Sequence, residues 1–222
     1  MTNPPATSKV LPRSSFPDLR LAHVEVSQGR HMPHWEAAGA IYHISLHLAD
    51  SVPVEQRQIW LEERARLRAV AEQEKRPLTA DEVAALRVVY DERVERYLSS
   101  GYGECLLRSP AAADALASVL EYGNGSTYAL HVWTIMPNHL HVVVGGFDNE
   151  RPMTEILRVW KRTSSHRINQ ICGRNGTVWH DDAYTRIIRD EVEYRRQLSY
   201  VWNNPESAGL NEGFRRERYV TW

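Results

Sequence analysis

The chain has 222 residues, 42% of them hydrophobic and 25% charged, with a formal net charge of −1. That is enough for one sizeable core and too little for two full domains. No apolar run approaches the ~20 residues of a membrane span, and Cys105 and Cys172 stand in no metal-binding or disulfide spacing, which points to a reducing compartment.

Residues 1–30, opening "MTNPPATSKVLPRSSFP", lack an apolar h-region and are rich in Pro, Ser and Thr. They read as a flexible tail rather than a secretory signal. Residues 31–222 read as a single domain with a charged helical insertion at about 53–100. In "AGAIYHISLHLAD" (38–50), Tyr42, Ile44, Leu46 and Leu48 alternate with His43, Ser45 and His47, which predicts a half-buried strand. The insertion reads as a solvated helical hairpin, with Ile59, Leu67 and Val70 at core spacing and a capping box at Thr79 and Glu82. His43 and His47 are given no function.

A helix is expected over 109–121, with Ser109 as N-cap and Pro110 at its first position. "TYALHVWTIM" and "HLHVVVGG" read as two antiparallel strands joined at "PN". Helices follow at 153–171 and 190–204, the second stopped by Pro205, with a mostly extended run between them. Locally paired strands mixed with helices predict an α+β fold, an antiparallel sheet with helices packed on it.

Two residues interrupt the apolar strand. His139 and His141 project to one face while Leu140, Val142 and Val144 project to the other. Two imidazoles ~7 Å apart along a strand can share one divalent ion. A histidine-triad nucleotide hydrolase would need a third histidine where Val143 stands. Near the C-terminus, Tyr200 and Asn204 are four residues apart, one helical turn, and offer a phenol and an amide oxygen on one face. Such a phenol can act as a nucleophile on a metal-activated phosphate, and the asparagine oxygen can be a third ligand. Tyr184 and Tyr194 are rival nucleophiles by spacing alone.

No acidic residue occurs from Ile156 to His180, a span that holds Arg158, Lys161, Arg162, Arg167 and Arg174. At helical spacing Arg158, Lys161, Arg162, Ser165 and Asn169 share a face opposite Ile156, Leu157, Trp160 and Ile171. That stripe suits phosphate contacts. Trp179 and Trp202 flank the site and could stack on an unpaired base.

The runs "MPNHLHVVV", "GTVWHDDAYTRIIRDE" and "LSYVWNNPESAGL" resemble the single-tyrosine HUH transposases, in particular the REP-associated tyrosine transposase branch. "PHWEAAGAIYHISLHLADSVP" resembles the strand that opens that domain. The resemblance runs from about residue 31 to 211. It departs after "NNP", where Glu206 and Ser207 stand in place of a basic residue, and at Thr185, where an aspartate is common.

The resemblance implies a ferredoxin-like HUH nuclease fold and a metal-dependent single-stranded DNA endonuclease and strand transferase. It implies that Tyr200 forms a 5′-phosphotyrosine intermediate near DNA hairpins or palindromic repeats. His139, His141 and Asn204 would hold one divalent metal, Mg²⁺ or Mn²⁺, and Arg158, Lys161, Arg162 and Arg174 would meet DNA. It also implies a bacterial, cytoplasmic protein held at the nucleoid through DNA. The alternative is a DNA-hairpin-binding protein with lost or incidental cleavage. Oligomeric state, monomer or homodimer, stays open.

Overall fold

The structure, a computed structural model, describes residues 25–28, 33–37, 39–76, 79, 82, 93–146, 151–181 and 183–222. Strands β1 (Glu25–Gln28) and β2 (Pro33–Glu36) pair antiparallel as a separate two-stranded sheet. Strand β1 thus falls inside the stretch read as a tail, and residues 1–24 lie outside the described residues. The main chain of elements is β3 (Ile41–His47), α1 (Val54–Gln73), helical residues 93–99 (α2), a 3-10 turn at Leu106–Arg108, α3 (Pro110–Tyr122), β4 (Tyr128–Ile135), β5 (His139–Gly146), α4 (Met153–Ile171), β6 (Tyr184–Ile187), α5 (Glu191–Trp202), α6 (Asn204–Ser207) and β7 (Arg215–Arg218).

The second sheet has the order β6-β3-β5-β4-β7, and all its pairs are antiparallel. Without β7 and the insertion, the succession β3-α3-β4-β5-α4-β6 with β3 and β5 central is the split βαβ, ferredoxin-like arrangement. The α+β expectation is borne out. None of the described helices is long and apolar enough to cross a membrane.

Both sheet faces are covered. Tyr42, Ile44, Leu46, Leu140, Val142 and Val144 pack against Leu116 and Leu120 of α3 and Ile156, Leu157, Trp160 and Ile168 of α4. On the other face Ile41, Val132 and Val143 meet Leu198 and Val201 of α5. The strand β3, expected to be half-buried, is therefore buried at all seven positions, because α5 lies over the face that alternation left polar.

The insertion differs in detail from its periodicity. Ile59 and Val70 are exposed, and the neighbouring Trp60 and Ala71 are buried instead. One residue turns a helix by about 100°, and the contact stripe follows the small patch of Val52, Trp60, Val94 and Leu98 that seats α1 and α2. The side chain of Leu67 and most of the second insertion helix lie outside the described residues. The capping box is formed as expected: the Thr79 amide donates to Glu82 Oε2 (2.8 Å) and the Glu82 amide to Thr79 Oγ1 (3.2 Å).

Where the insertion rejoins the sheet, Gly103 has φ +96°, and a Cβ there would lie 2.8 Å from the Asp50 carbonyl oxygen. Only glycine fits so close an approach in that backbone region. Helix α4 spans the residues predicted, although Ile171, at its last position, is exposed. Ser109 stands at the N-cap of α3 but makes no side-chain cap bond. Pro205 does not stop α5: the helix breaks at Asn203, and Pro205 sits in the first turn of α6, where its missing N–H costs nothing.

Candidate metal and nucleophile site

The site is built on the sheet face that α5 covers. Strand register sets His47 opposite His139 and Ser45 opposite His141. Both strand-β5 histidines are fully buried. His139 Nδ1 is 2.7 Å from Asn138 Oδ1, and the Asn138 amide nitrogen donates to the Tyr102 carbonyl (3.0 Å). With its nitrogen so engaged, Asn138 presents only an acceptor. The proton therefore sits on His139 Nδ1, and Nε2 keeps its lone pair. His141 Nδ1 lies 2.7 Å from Ser45 Oγ, a hydroxyl that can accept its proton and hold the ring. An outer hydrogen bond that fixes each ring and points the second nitrogen inward is the usual support of a metal-ligating histidine.

Four buried polar atoms here lack a hydrogen-bond partner: His43 Nε2, His139 Nε2, His141 Nε2 and Asn204 Oδ1. Orphaned buried polar atoms are costly and rare, and a cation held between them would satisfy the last three. A fourth donor comes from the insertion. Glu95 of α2 reaches the pair, with Oε1 3.4 Å from His141 Nε2, and donor atoms of Glu95, His139 and His141 all lie within 4.8 Å of one another. Asn204 Nδ2 donates to Glu95 Oε1 at 3.5 Å. The Asn204 side chain also lies close enough to His139 to favour its charged form, although Nε2 makes no well-formed bond. Two imidazole nitrogens with one or two oxygens suit a divalent first-row ion.

Electrostatics agree with that donor set. Burial, with the neighbouring His141, pushes the His139 imidazole down to about 3, so it is neutral and able to ligate. Burial pushes the Glu95 carboxyl up, but its close approach to the His141 and His139 imidazoles and a hydrogen bond from Tyr200 outweigh it. The net effect holds Glu95 below the usual carboxylate range, ionised.

Tyr200 is 38% exposed, and its hydroxyl bonds to Glu95. Its ring centroid lies 5.3 Å from His141 and 5.6 Å from His43. Helix α5 is fixed in this position from both ends. Asp190 Oδ1 accepts from the Glu193 amide (2.7 Å) as N-cap, and Thr134 Oγ1, across the sheet from His141, donates to the Val201 carbonyl (2.7 Å). Of the rival tyrosines, Tyr194 is buried with its hydroxyl 2.7 Å from His131 Nδ1, and burial raises its phenol well above the usual range. Tyr184 lines the same cleft as Tyr200, with its ring 6.1 Å from His43.

His43 and His47 therefore belong to the surroundings of the site. His43 is buried 5.5 Å from His141, ring to ring, and burial pushes it down to about 3. His47 bonds Ser51 Oγ (2.7 Å) and stacks on His180 at 4.5 Å.

The basic residues expected to meet DNA are less free than a stripe of unpaired charges. Lys161 Nζ donates to the His180 (2.8 Å) and Asp181 (2.9 Å) carbonyls, and Arg174 pairs with Glu104 at 3.0 Å. Arg158 and Arg162 stay exposed, Arg158 only 3.9 Å from Glu155, and with Lys161 they line a 450 Å³ groove that His180 also borders. Of the two tryptophans expected beside the site, Trp179 is a core residue whose Nε1 donates to Ser164 Oγ (2.8 Å), so it is not a stacking platform. Trp202 is half-buried, with the Arg216 guanidinium 4.2 Å from its ring centroid.

Glu95 was missed by sequence reasoning, since it stands in a charge-dense helix far from the histidines in the chain. The facing His43-x-Ser45-x-His47 pattern was the legible signal that a polar seam ran through the sheet.

No protein-family model matches the chain, and no curated protein sequence matches it. Among solved structures the chain is similar to a REP-associated tyrosine transposase bound to a REP hairpin, at a TM-score of 0.43 and 14% identity, over 82% of this chain and 74% of that one.

Proposed function

We propose that the protein is a metal-dependent single-stranded DNA endonuclease and strand transferase, transposase-like, that acts beside DNA hairpins through a phosphotyrosine intermediate. The observation that carries the reading is the convergence of orphaned His139 Nε2, His141 Nε2 and Asn204 Oδ1 with the Glu95 carboxylate, next to the hydroxyl of the partly exposed Tyr200. Those four side chains are the ligands we assign to Mg²⁺ or Mn²⁺. Bound there, the ion supplies Lewis-acid polarisation of a phosphate oxygen.

The chain's own residues do the rest. Tyr200 Oη attacks a backbone phosphorus, the P–O3′ bond breaks, and the phenol proton is balanced by the proton that ends on the free 3′-hydroxyl. The product is a 5′-phosphotyrosine. The bond energy is kept, so a second 3′-hydroxyl can reverse the step onto a new strand. Asn138 and Ser45 hold the two imidazoles in orientation. Arg158 and Arg162, in the groove bordered by His180, are assigned to DNA phosphates, with Lys161 and Arg174 as supports of that surface. The DNA partner and the two free thiols, Cys105 and Cys172, suit a reducing cytoplasm.

The test is incubation with a pool of hairpin-bearing single-stranded oligonucleotides and Mn²⁺ or Mg²⁺, read by denaturing gel and peptide mass mapping. The expected adduct lies on Tyr200, is abolished by Tyr200→Phe, and survives Tyr184→Phe. Retained hairpins with no adduct in any divalent ion would leave a hairpin-binding protein in its place.

A further inference from the structure

The cleft over Tyr200 has a volume of 530 Å³ and walls from distant parts of the chain. One wall is α2 of the insertion, and the other is α5 with β3 and β6. Its charged lining is three arginines, Arg96, Arg186 and Arg196, against one carboxylate, Glu95. Two of these four are already engaged: Arg186 pairs with Glu193 at 2.6 Å, and Glu95 faces the histidines. Arg96 of α2 and Arg196 of α5 are both exposed, and neither has a carboxylate partner among the described residues.

Like charges on facing walls repel, and an anion between them removes that cost. The guanidinium fork matches phosphate oxygens two at a time. The cleft has the volume of a small-ligand pocket, room for one or two unstacked nucleotides and not for a base-paired helix. Tyr184 also lines the cleft and supplies a second aromatic ring to it.

We propose that Arg96 and Arg196 grip, from opposite walls, the backbone phosphates of a single DNA strand next to the phosphate that Tyr200 attacks. This rests on the reading of the site as a phosphodiester-transfer centre. The insertion thereby acquires a role in binding, because α2 forms the second wall of the strand channel. Arg96 and Arg196 are positioning residues, since neither touches the reacting atoms.

Binding of a labelled hairpin oligonucleotide with a single-stranded flank is measured by anisotropy against salt, in EDTA and in the Tyr200→Phe background. Each lost single-strand phosphate contact lowers the slope of log K against log salt by ~0.7. Arg96→Gln and Arg196→Gln are each expected to lower it by about that amount, and the double variant by about twice as much. Arg195→Gln, on the outer side of α5 and paired with Glu191, is expected to change nothing. Mn²⁺ binding by both cleft variants checks that α2 is still docked. Unchanged slopes, or a parent protein that does not bind the strand, would overturn the proposal. Lowered slopes without any Tyr200 adduct in the separate cleavage assay would uphold the grip and sink the transferase reading.

Discussion

The support of His139 can be tested by removing Asn138. Asn138 is fully buried, accepts at 2.7 Å from His139 Nδ1 and donates at 3.0 Å to the Tyr102 carbonyl. Asn138→Ala deletes both bonds. Freed from its partner, the imidazole can turn or take the other tautomer, which puts a proton on the nitrogen that should ligate. Loss of such an outer partner costs 10–100-fold in metal affinity, or about 1.4–2.7 kcal/mol. It also leaves the buried His139 Nδ1 unsatisfied, at about 1–3 kcal/mol in folding stability. The two effects separate if Mn²⁺ affinity is measured by calorimetry on protein whose folded fraction in EDTA is known from a denaturant melt. Asn138→Asp keeps the acceptor for His139, loses the donor to Tyr102 and adds a buried carboxylate. It is expected to destabilise the fold while holding Mn²⁺ affinity near the parent value. Parent-like Mn²⁺ affinity in folded Asn138→Ala would refute the orienting role.

Further outcomes follow from the same geometry. Glu95→Gln is expected to weaken Mn²⁺ binding at least tenfold, with Asn204→Ala weaker in effect because an amide oxygen carries no net charge; equal affinities in calorimetry would remove Glu95 from the ligand set. Thr134→Val removes the 2.7 Å bond to the Val201 carbonyl and should cost about 1–3 kcal/mol in a urea melt, since the carbonyl is left buried. Burial pushes His131 down to about 4 from its usual 6.5, so the unfolded chain takes up a proton first as pH falls. Its contribution is complete above pH 6.5 and is lost on the way down to about pH 4, on the order of 3 kcal/mol. In His131→Gln, which keeps a polar partner for Tyr194, the acid limb of stability against pH should be shallower; superimposable limbs would contradict the assignment.

Local pattern carried much of this fold. Helix α4 and the hairpin β4–β5 are written in hydrophobic period and turn residues, and the fixed two-residue alternation of a strand put His139 and His141 on one face. What local pattern could not supply was which outer faces other elements cover. Alternation along β3 marks one polar face, and only the packing of α5 makes that face buried, turning His43 and His47 from surface residues into neighbours of the site. Glu95 was illegible for the same reason: charge in a mixed-sign helix signals solvent, and the contact that turns one carboxylate inward is a tertiary event. Lys161 and Arg174 show the converse, since periodicity counted their charges but not the carbonyls and carboxylate that take them up.

The seat of α2 makes one end of the protein accountable to the other. An apolar patch of four residues, Val52, Trp60, Val94 and Leu98, and the Arg93–Glu63 pair at 2.6 Å hold the insertion, and the pair is exposed enough to contribute little. With Glu95 as a ligand, ion binding and helix docking become reciprocal, each strengthening the other by the same factor. At an ion concentration ~100 times the dissociation constant, the docked state gains about 2.7 kcal/mol. Backbone amides of residues 93–99 would then exchange with solvent ~100-fold more slowly, while those in β4 and β5, already locked in the sheet, would shift far less. The insertion would report the occupancy of a centre to which it contributes a single carboxylate.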